Sequence, residues 1–364
     1  MSETFLFAGG GTGGHLAPGI AVAEELRQRD PSCRCVFVGS GRAVEQRLLA
    51  GTGFESVSLS AQSLRQLTQR PLQFVTGNLA ALRDAVRLIR QHRPRAVVGL
   101  GGYASVAIVI AAGLAGVPVW LLEQNAIPGR ANRWLSHWFP VCVTFDRSAS
   151  WLPLKARVYE TGNPLRRSLV AAFQSSLKPP SQRGRMLLVM GGSQGSTAVN
   201  RAVLTAIRRL RPMFEDWRVV HQAGEGDCES VRRSYAELGL SCDVQPFFAD
   251  VPKLYAESAC IICRAGATTL TELAAAGLPS ILIPYPFAAD QHQVENARVF
   301  EDAGAAEVVL ERDPASTADE LQTRLASLMR SPERLDAMSV AMRRLARWDA
   351  ASDVADRLLG EARG

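Results

Sequence analysis

The chain has 364 residues, enough for two domains of ordinary size. Hydrophobic residues make up 47% and charged residues 21%, as in folded globular proteins, and the formal net charge is +6. This mild positive excess is compatible with nucleic acid, an anionic membrane or a phosphorylated substrate as partner. Because aromatic residues are only 7% and no aromatic–basic run offers a base-stacking platform, nucleic acid is not expected.

The seven cysteines are odd in number and follow no regular spacing, which argues against a disulfide framework and favours a reducing cytoplasm. Cys260 and Cys263 form a Cys-x-x-Cys pair inside an apolar run, but no second pair nearby would complete a zinc site, so no metal is expected. The amino terminus has neither a basic segment nor a cleavage site, and no apolar stretch reaches the roughly 20 residues of a spanning helix. Any membrane contact is therefore expected to be peripheral.

Short β-branched runs alternate with helical patterns, which is typical of parallel sheets covered by helices on both faces. The first half predicts strands over residues 4–8, 35–38, 96–100, 117–123, 142–145 and 158–161, and helices over 17–29, 75–90 and 105–114. The second half predicts strands over 186–190, 218–222, 243–247, 260–263, 280–284 and 307–310, and helices over 197–209, 230–238, 268–276 and 291–303. Helical patterning then continues from residue 315 to the end.

A strand, a Gly-rich turn and a helix follow one another twice, from residue 4 and again from residue 186. Two such starts about half a chain apart predict two doubly wound α/β domains. A polar, Pro-rich stretch without periodicity joins them. The expected organisation is a first domain over 1–173, a linker over 174–185, a second domain over 186–345, and a last helix over 346–364 that packs back on the first domain.

The first Gly-rich loop, residues 9–15, ends on His15 at the junction of a strand and a helix. Its glycines permit close backbone approach to a ligand, and the helix N-terminus favours anions. It lacks the Lys-Ser/Thr ending of an ATPase loop, and the second strand ends without the acid of a dinucleotide site. His15, with an ordinary pKa near neutrality, is the candidate general base. A tight structural turn and a merely structural histidine are the alternatives.

Three loops follow strands of the second domain. The loop 191–196, which contains Ser193, suits a diphosphate at a helix N-terminus. The loop 264–272 ends on Glu272, a carboxylate that either only favours the helix N-terminus or accepts hydrogen bonds from ribose hydroxyls. The segment 284–297 offers side-chain amides to sugar hydroxyls. Three such loops at successive strand ends predict a nucleotide-sugar site.

Together these motifs resemble the MurG family, transferases that move N-acetylglucosamine from UDP to undecaprenyl-diphospho-muramoylpentapeptide. The resemblance runs almost from end to end. It implies a GT-B fold, in which two Rossmann-like domains enclose a cleft. The motifs that carry it are residues 9–19, 101–105, 123–125, 161–166, 191–196, 264–272 and 290–297.

The resemblance also implies site residues. Phe248 stands where a smaller aliphatic residue is frequent, which matters little if that contact is made by the backbone. His292 stands where some members have Gln, so whether His292 or Gln293 meets the sugar is open. On the acceptor side it implies Gly101, Gly102 and Tyr103. For UDP-N-acetylglucosamine it implies Thr12, Gly13, Gly14, Asn125, Arg166, Ser193, Phe248, Ala267, Thr268, Thr269, Leu270, Thr271, Glu272 and Gln293.

The implied reaction is an inverting transfer, in which the acceptor's C4 hydroxyl attacks the anomeric carbon while His15 takes its proton. Helix N-termini and Arg166 would stabilise the leaving UDP without a metal, and no cofactor is implied beside the donor itself. The implied partners are UDP-N-acetylglucosamine, the lipid-linked acceptor (lipid I), the anionic cytoplasmic membrane surface and other cell-wall synthesis proteins. The chain would then be a peripheral protein of the cytoplasmic face.

A membrane-facing surface is predicted within residues 64–95, where apolar residues are surrounded by seven arginines. Cations near an anionic leaflet and a small exposed apolar patch together give reversible docking. The alternative is an amphipathic helix whose apolar stripe lies in the core.

Other functions remain open. The main alternative is a transferase of the same fold that is specific for another lipid acceptor, such as diacylglycerol. A UDP-N-acetylglucosamine 2-epimerase of similar architecture would need acid/base carboxylates and no lipid acceptor. A non-enzymatic nucleotide-sugar-binding subunit is disfavoured, because both domains and both sets of Gly loops are present.

Overall fold

The computed structural model describes residues 3–10, 13–59, 70–174, 178–192 and 195–360, without the side chains at positions 71, 72 and 74. Thr12, Ser193 and the part of the predicted membrane segment before residue 70 lie outside the described residues. The chain divides into two units. Unit 1 comprises Met1–Arg167 and Arg347–Gly364, and unit 2 comprises Ser168–Ala346.

A parallel sheet forms the centre of unit 1. Its strands are β1 (Thr4–Gly9), β2 (Arg34–Gly39), β3 (Glu55–Ser58), β4 (Ala96–Gly101), β5 (Val119–Glu123), β6 (Val141–Val143) and β7 (Val158–Glu160). The helices among them are α1 (Gly13–Arg29), α2 (Ala43–Leu49), α3 (Pro71–His92), α4 (Tyr103–Leu114) and α5 (Arg130–Leu135). The strand order is β3-β2-β1-β4-β5-β6-β7, so the order reverses between β1 and β4.

Unit 2 repeats this plan. It begins with helix α6 (Arg167–Gln174). Its strands are β8 (Met186–Met190), β9 (Arg218–Gln222), β10 (Cys242–Gln245), β11 (Cys260–Cys263), β12 (Ser280–Leu282) and β13 (Ala306–Val308). Its further helices are α7 (Thr197–Arg209), α8 (Cys228–Glu237), α9 (Val251–Glu257), α10 (Ala267–Ala276), α11 (His292–Asp302), α12 (Pro314–Met329) and α13 (Pro332–Arg344). The order β10-β9-β8-β11-β12-β13 reverses between β8 and β11.

The strands of unit 1 are buried on both faces because their side chains alternate between two apolar layers. Phe5 and Phe7 point into one layer, where Phe7 stacks on Phe37 with ring centroids 4.9 Å apart. Leu6 and Ala8 point into the other layer. Continuous apolar strands of this kind require helices on both sides, which fixes the doubly wound arrangement.

The last helix, α14 (Ala350–Leu359), belongs to unit 1. Val354, Ala355 and Leu358 enter the same apolar layer as Phe5 and Phe7. The end of the chain therefore completes the core of the unit in which the chain began.

The prediction of two doubly wound parallel sheets is confirmed. Short elements without a clear period, such as β3, α2 and α9, had no counterpart in the predicted set. The unit boundary also differs from the expected one, since unit 2 starts at Ser168 and α6 belongs largely to it. The physical reason is burial, because Phe173 of α6 is fully buried and stacks with Tyr255 of α9, 6.3 Å between ring centroids.

The predicted linker also contains a buried guanidinium. Arg183 donates to Tyr255 O and Ser258 O at the end of α9, both at 3.3 Å. It also donates to Ala276 O and Gly277 O at the end of α10, at 3.0 and 3.5 Å. Burial lowers the pKa of Arg183 to about 10, so it stays charged at neutral pH. Arg183 thus supplies positive charge to two helix C-termini, whose last carbonyls have no partner within the helix.

Candidate functional site

In open parallel sheets, ligands bind beyond the carboxyl ends of the strands, at the point where the strand order reverses. In unit 2 that point lies between β8 and β11, which pair directly. The loop after β8 requires glycine at Gly195, where φ is +75° and a Cβ atom would lie 2.5 Å from Ala223 O. The loop then enters α7 through Ser196, whose Oγ accepts a hydrogen bond from Val199 N at 3.3 Å. A helix N-terminus is thereby presented at the reversal point.

Arg264, the first residue after β11, joins the loops at this edge of the sheet. Its Nη2 donates to Ser196 Oγ at 2.7 Å, which ties it to the loop after β8. Its Nη1 donates to Ile283 O and Pro284 O after β12, at 3.0 and 3.3 Å. Its guanidinium also lies 5.5 Å from the centre of the Tyr285 ring. One side chain therefore fixes the spacing of three successive strand-end loops.

A carboxylate compensates the charge of this arginine. Glu311, which follows β13, approaches Nη1 of Arg264 with Oε2 at 2.6 Å. The two side chains are only 16% and 12% exposed. An ion pair withdrawn from water in this way is rigid, and removing one partner leaves the other charge buried. The pair extends the network of Arg264 to a fourth strand-end segment.

The loop after β11 leads into α10, whose first residues were the expected sugar-nucleotide contacts. Gly266 is the residue before the helix, and Ala267 and Leu270 are buried. Thr271 donates its hydroxyl to Ala267 O at 2.9 Å, so that hydroxyl serves the helix. Thr268 and Thr269 are half-buried at the helix N-terminus. The positive end of the helix dipole is therefore what this segment offers a ligand.

Glu272 lies in the second turn of α10 and is half-buried. Its Oε2 accepts a hydrogen bond from the hydroxyl of Tyr255 at 3.3 Å. Burial raises the pKa of Glu272 to about 7, and the Tyr255 hydrogen bond lowers it only in part. Burial also raises the pKa of Tyr255, which remains a neutral donor. A carboxyl poised near neutrality accepts hydrogen bonds from a ligand best after it has lost its proton.

The ring of Phe248 is buried, whereas the neighbouring Phe247 is exposed. The ring of Phe248 is therefore withdrawn from any ligand. The aromatic side chain in place of a smaller aliphatic one then serves packing.

His292 and Gln293 open α11. Gln293 Oε1 accepts a hydrogen bond from Tyr285 N at 3.0 Å, so its amino group is the part that remains to recognise a sugar hydroxyl. His292 Nδ1 lies 2.8 Å from Ala289 O. Because a carbonyl oxygen can only accept, Nδ1 carries the proton and Nε2 of a neutral ring accepts. Asp290 and Gln291 just before them have φ of +51° and +56°, an uncommon backbone for non-glycine residues that is frequent at functional sites.

In unit 1 the corresponding point lies between β1 and β4. Gly9 and Gly101 are neighbours there, and a Cβ on Gly9 would meet Gly101 O at 2.6 Å. Gly101 has φ of +94°, and a Cβ on it would lie 3.6 Å from Nε2 of His15. His15 is half-buried near the start of α1, next to Gly13 and Gly14. The structure thus places the candidate base beside the expected acceptor loop.

Gly102 and Tyr103 continue this loop into α4, with Gly102 before the helix at φ of +75°. The Tyr103 hydroxyl receives a hydrogen bond from Nη2 of Arg42 at 3.3 Å. Arg42 belongs to the loop between β2 and α2 and was not among the predicted site residues. An exposed cation therefore lies beside the loop expected to face a diphosphate.

Asn125 is held in place by a buried carboxylate. Glu123 Oε1 accepts from Asn125 N at 2.9 Å and from Asn125 Nδ2 at 3.3 Å. Its Oε2 accepts from Gly129 N and Asn132 Nδ2, both at 2.9 Å. Four donors on one carboxylate fix the loop after β5, so Glu123 orients Asn125.

Arg166 lies in unit 1 and pairs with an acid on α1. Its Nε and Nη2 donate to Glu24 Oε1 at 3.0 and 2.8 Å. This pairing orients the guanidinium and partly neutralises its charge.

The predicted contacts that lie in the described residues thus fall into two groups, one in each unit. Unit 1 holds Gly13, Gly14, His15, Gly101, Gly102, Tyr103, Asn125 and Arg166, and unit 2 holds Phe248, the segment 267–272 and Gln293. Sequence reasoning missed Arg42, Tyr255 and Glu311, and it did not single out Glu123 or Arg264 within their motifs. The sequence does contain an indication of the role of Arg264. A cation directly after a buried strand and next to a Gly loop must find hydrogen-bond partners among the neighbouring loops.

Within the described ranges, no group of three or more His, Cys, Asp and Glu side chains could hold a metal ion. Cys260 and Cys263 are buried, and burial raises the pKa of each thiol to about 12. No helix in the described part of the chain combines the length and apolar character needed to cross a membrane.

The fold and the positions of its loops are those of a GT-B glycosyltransferase. Each of the two Rossmann-like units presents Gly loops at the point where its strand order reverses. Models of the glycosyltransferase family 28 N-terminal and C-terminal domains match residues 5–142 and 186–356. The chain belongs to glycosyltransferase family 28, and its resemblance to the MurG family is confirmed.

Three known proteins show how far the similarity extends. A protein of Anaeromyxobacter dehalogenans is 40% identical over 96% of this chain and 91% of its own length, and is named UDP-N-acetylglucosamine–N-acetylmuramyl-(pentapeptide) pyrophosphoryl-undecaprenol N-acetylglucosamine transferase. The crystal structure of MurG from Acinetobacter baumannii matches with a TM-score of 0.77 at 31% identity, covering 98% of this chain and 99% of that one. A putative UDP-N-acetylglucosamine 2-epimerase from Listeria monocytogenes reaches a TM-score of 0.72 at 14% identity, with 100% and 98% covered, which shows a shared fold alone.

Proposed function

We propose that this chain transfers N-acetylglucosamine from UDP-N-acetylglucosamine to the C4 hydroxyl of undecaprenyl-diphospho-N-acetylmuramoyl-pentapeptide (lipid I), giving lipid II for peptidoglycan synthesis. The observation that carries the proposal is 40% identity, over nearly the whole chain, to a relative named for this transfer. The epimerase alternative has less support, because the similarity to the epimerase of Listeria monocytogenes is one of fold at 14% identity.

Unit 2 is proposed to bind the donor. The N-termini of α7 and α10, together with the proposed Ser193, would hold the diphosphate. Glu272 would accept hydrogen bonds from the ribose hydroxyls, and the backbone at Phe248 would contact uracil. The amino group of Gln293 would recognise the sugar, an assignment supported by the engagement of its carbonyl oxygen with Tyr285 N.

Unit 1 is proposed to bind the acceptor diphosphate at Gly101, Gly102 and Tyr103, with His15 as general base. The acceptor oxygen attacks the anomeric carbon as the bond to UDP breaks, while its proton passes to the imidazole. Inversion at the anomeric carbon follows from a single in-line displacement. The position of His15 beside Gly101 supports this role.

Charge develops on the departing UDP, and preorganised donors stabilise it most effectively. Helix N-termini supply this stabilisation in the proposal, and Arg166, oriented by Glu24, adds a cation through its remaining N–H groups. We propose no metal in this step and no cofactor beside the donor.

The acceptor's lipid anchor implies a place of action. We propose that the protein is peripheral to the cytoplasmic face of the bacterial plasma membrane and meets other cell-wall synthesis proteins there. Helix α3 is the surface suggested by the sequence, and exposed Val75 and Leu79 lie on it beside Arg83 and Arg87.

The test is a transfer assay. Purified protein is incubated with UDP-N-acetylglucosamine labelled in the sugar and a water-soluble, short-chain lipid I analogue. The proposal expects label to move to the acceptor, with one UDP released per transfer. Conversion of the labelled donor to UDP-N-acetylmannosamine without acceptor would favour the epimerase instead.

A further inference from the structure

The side chain of Arg42 extends across the edge of the unit 1 sheet at which the strands end. Arg42 follows β2, and its Nη2 donates at 3.3 Å to the hydroxyl of Tyr103, which follows β4. In the sheet, β1 lies between these two strands. The strands that flank β1 are about 10 Å apart, since neighbouring strands are separated by roughly 4.8 Å. The hydrogen bond from Arg42 to Tyr103 thus spans the carboxyl end of β1, beside the point where the strand order reverses.

The loops after these three strands are in contact. A Cβ on Gly102, in the loop after β4, would lie 3.6 Å from Gly10 O, in the loop after β1. On the side of β2, a Cβ on Gly10 would lie 2.5 Å from Oε1 of Glu45, which belongs to α2. Gly10 is therefore enclosed between the segments that carry Arg42 and Tyr103.

Glu45 fixes the backbone from which Arg42 projects. This carboxylate is only 5% exposed. Its Oε1 accepts from Ser40 Oγ at 2.7 Å and from Ser40 N at 3.3 Å. Its Oε2 accepts from Gly41 N at 2.8 Å and from Arg42 N at 3.3 Å. The backbone before α2 is therefore held firmly, whereas the side chain of Arg42 is exposed to solvent, where a ligand can reach it.

The guanidinium of Arg42 is better suited to a phosphate than to the hydroxyl that it meets in this structure. Its hydrogen bond of 3.3 Å is long. A guanidinium and an ionised oxygen typically approach to roughly 2.7–2.9 Å, and such charge-assisted bonds are about twice as strong as neutral ones. Arginine also offers phosphate two parallel N–H groups. Exchange of the Tyr103 hydroxyl for a phosphate oxygen would therefore strengthen the interaction.

The loop 101–103 places this cation next to the residues proposed to bind the acceptor. Tyr103 contacts Arg42, and a Cβ on Gly101 of the same loop would lie 3.6 Å from Nε2 of His15. One short loop therefore has the candidate base and an arginine as neighbours.

We propose that Arg42 binds the diphosphate of the lipid-linked acceptor and exchanges its hydrogen bond to Tyr103 for one to a phosphate oxygen. This inference rests on the proposed function, in which the acceptor has a diphosphate between its sugar and its lipid. The diphosphate lies at the opposite side of the muramoyl sugar from the C4 hydroxyl that reacts. Arg42 therefore contributes to acceptor affinity, and bond formation does not depend on it.

Steady-state kinetics with the soluble lipid I analogue test this role, with Arg47→Gln as the control, since Arg47 is an exposed arginine of α2. Arg42→Gln should raise KM for the acceptor about 10–100-fold through loss of a charged hydrogen bond, and leave kcat and the donor KM unchanged. Arg42→Lys should fall between, because lysine keeps the charge but not the paired N–H groups. An acceptor KM as in Arg47→Gln, or an equal rise in both KM values, overturns the proposal.

A second comparison separates phosphate binding from mere support of Tyr103. If Arg42 only orients Tyr103, then Arg42→Gln should have no effect once Tyr103→Phe has removed the hydroxyl. The proposal expects Arg42→Gln to raise the acceptor KM by a similar factor in that background. Loss of the effect there overturns it.

A binding measurement without transfer lets the proposed function fail separately. With UDP in excess to occupy unit 2, inorganic pyrophosphate is titrated calorimetrically into the wild type and the variants. Arg42→Gln should weaken pyrophosphate binding about tenfold or more, and Arg47→Gln should leave it unchanged. Equal binding by Arg42→Gln and the wild type overturns the inference. A wild type that binds pyrophosphate through Arg42 but transfers no sugar contradicts the proposed function alone.

Discussion

The hydroxyl of Tyr255 donates a hydrogen bond to Oε2 of Glu272 across 3.3 Å, between helices α9 and α10. Burial nevertheless raises the pKa of Glu272 to about 7, because one neutral donor does not replace the water that the carboxylate has lost. Ribose hydroxyls would provide the missing donors. Donor binding and ionisation of Glu272 should therefore be linked.

Changing Glu272 to Gln should weaken binding of UDP-N-acetylglucosamine by about 10–100-fold, because a hydrogen bond to a charged group contributes roughly 1.5–3 kcal/mol. In the wild type, affinity should rise as pH increases through about 7, because the ionised form binds, and this rise should be absent in the variant. Calorimetric titration with the intact donor measures the affinity and its dependence on pH. The donor adds no pH dependence of its own near neutrality, because both of its phosphates are esterified. Glu257→Gln, on a half-exposed surface of α9, is the control. Equal affinity in Glu272→Gln and wild type would refute the ribose role.

Changing Arg264 to Lys should raise KM for the donor about tenfold or more and leave the fold intact. Lysine keeps the charge near Glu311, but it cannot donate at once to Ser196 and to the carbonyls after β12. Arg298→Lys is the matched control, since Arg298 makes an exposed pair with Glu295 on α11. Steady-state kinetics with a soluble acceptor would show the difference. If both variants have the KM of the wild type, Arg264 does not set the loop spacing.

Changing Arg183 to Met should lower the free energy of unfolding by about 3 kcal/mol or more, because terminal carbonyls of α9 and α10 lose their donor in a buried place. Arg185, two residues on, pairs with Asp216 on the surface, where both side chains are well exposed. Arg185→Met should change stability by no more than about 0.5 kcal/mol. Denaturant unfolding of the two variants tests this contrast, and similar losses would contradict it.

The sequence was informative where function depends on backbone and local order. Apolar strands followed by Gly loops predicted both sheets and the edge at which the sites lie. Pairings across long separations were not predictable, since nothing near Arg166 points to Glu24, 142 residues away. Tyr255 lies on a helix of seven residues, too short to show a period. Arg183 lies in a polar, Pro-rich stretch, where composition indicates a linker although tertiary contacts bury it.

Changing His15 to Ala should reduce turnover by about 10²–10⁴-fold, the usual contribution of a positioned base, while UDP still binds to unit 2. At saturating donor, where the pH dependence of donor binding through Glu272 drops out, wild-type turnover should fall at acidic pH as the imidazole is protonated, and this limb should be missing from the variant. If His15 instead acts as a cation on a diphosphate, the wild-type rate would fall as pH rises. That opposite sign, or a variant with most of its activity, would remove His15 from the role of base.

The central claim, an inverting transfer to an N-acetylmuramoyl acceptor, is tested most directly by the new bond in the product. Product made from UDP-N-acetylglucosamine and the soluble lipid I analogue is purified, and its glycosidic linkage is determined by NMR. The account predicts N-acetylglucosamine joined in β configuration to C4 of the muramoyl sugar, since the donor's α bond is inverted once. An α linkage, attachment at another position, or N-acetylmannosamine in place of a disaccharide would contradict it.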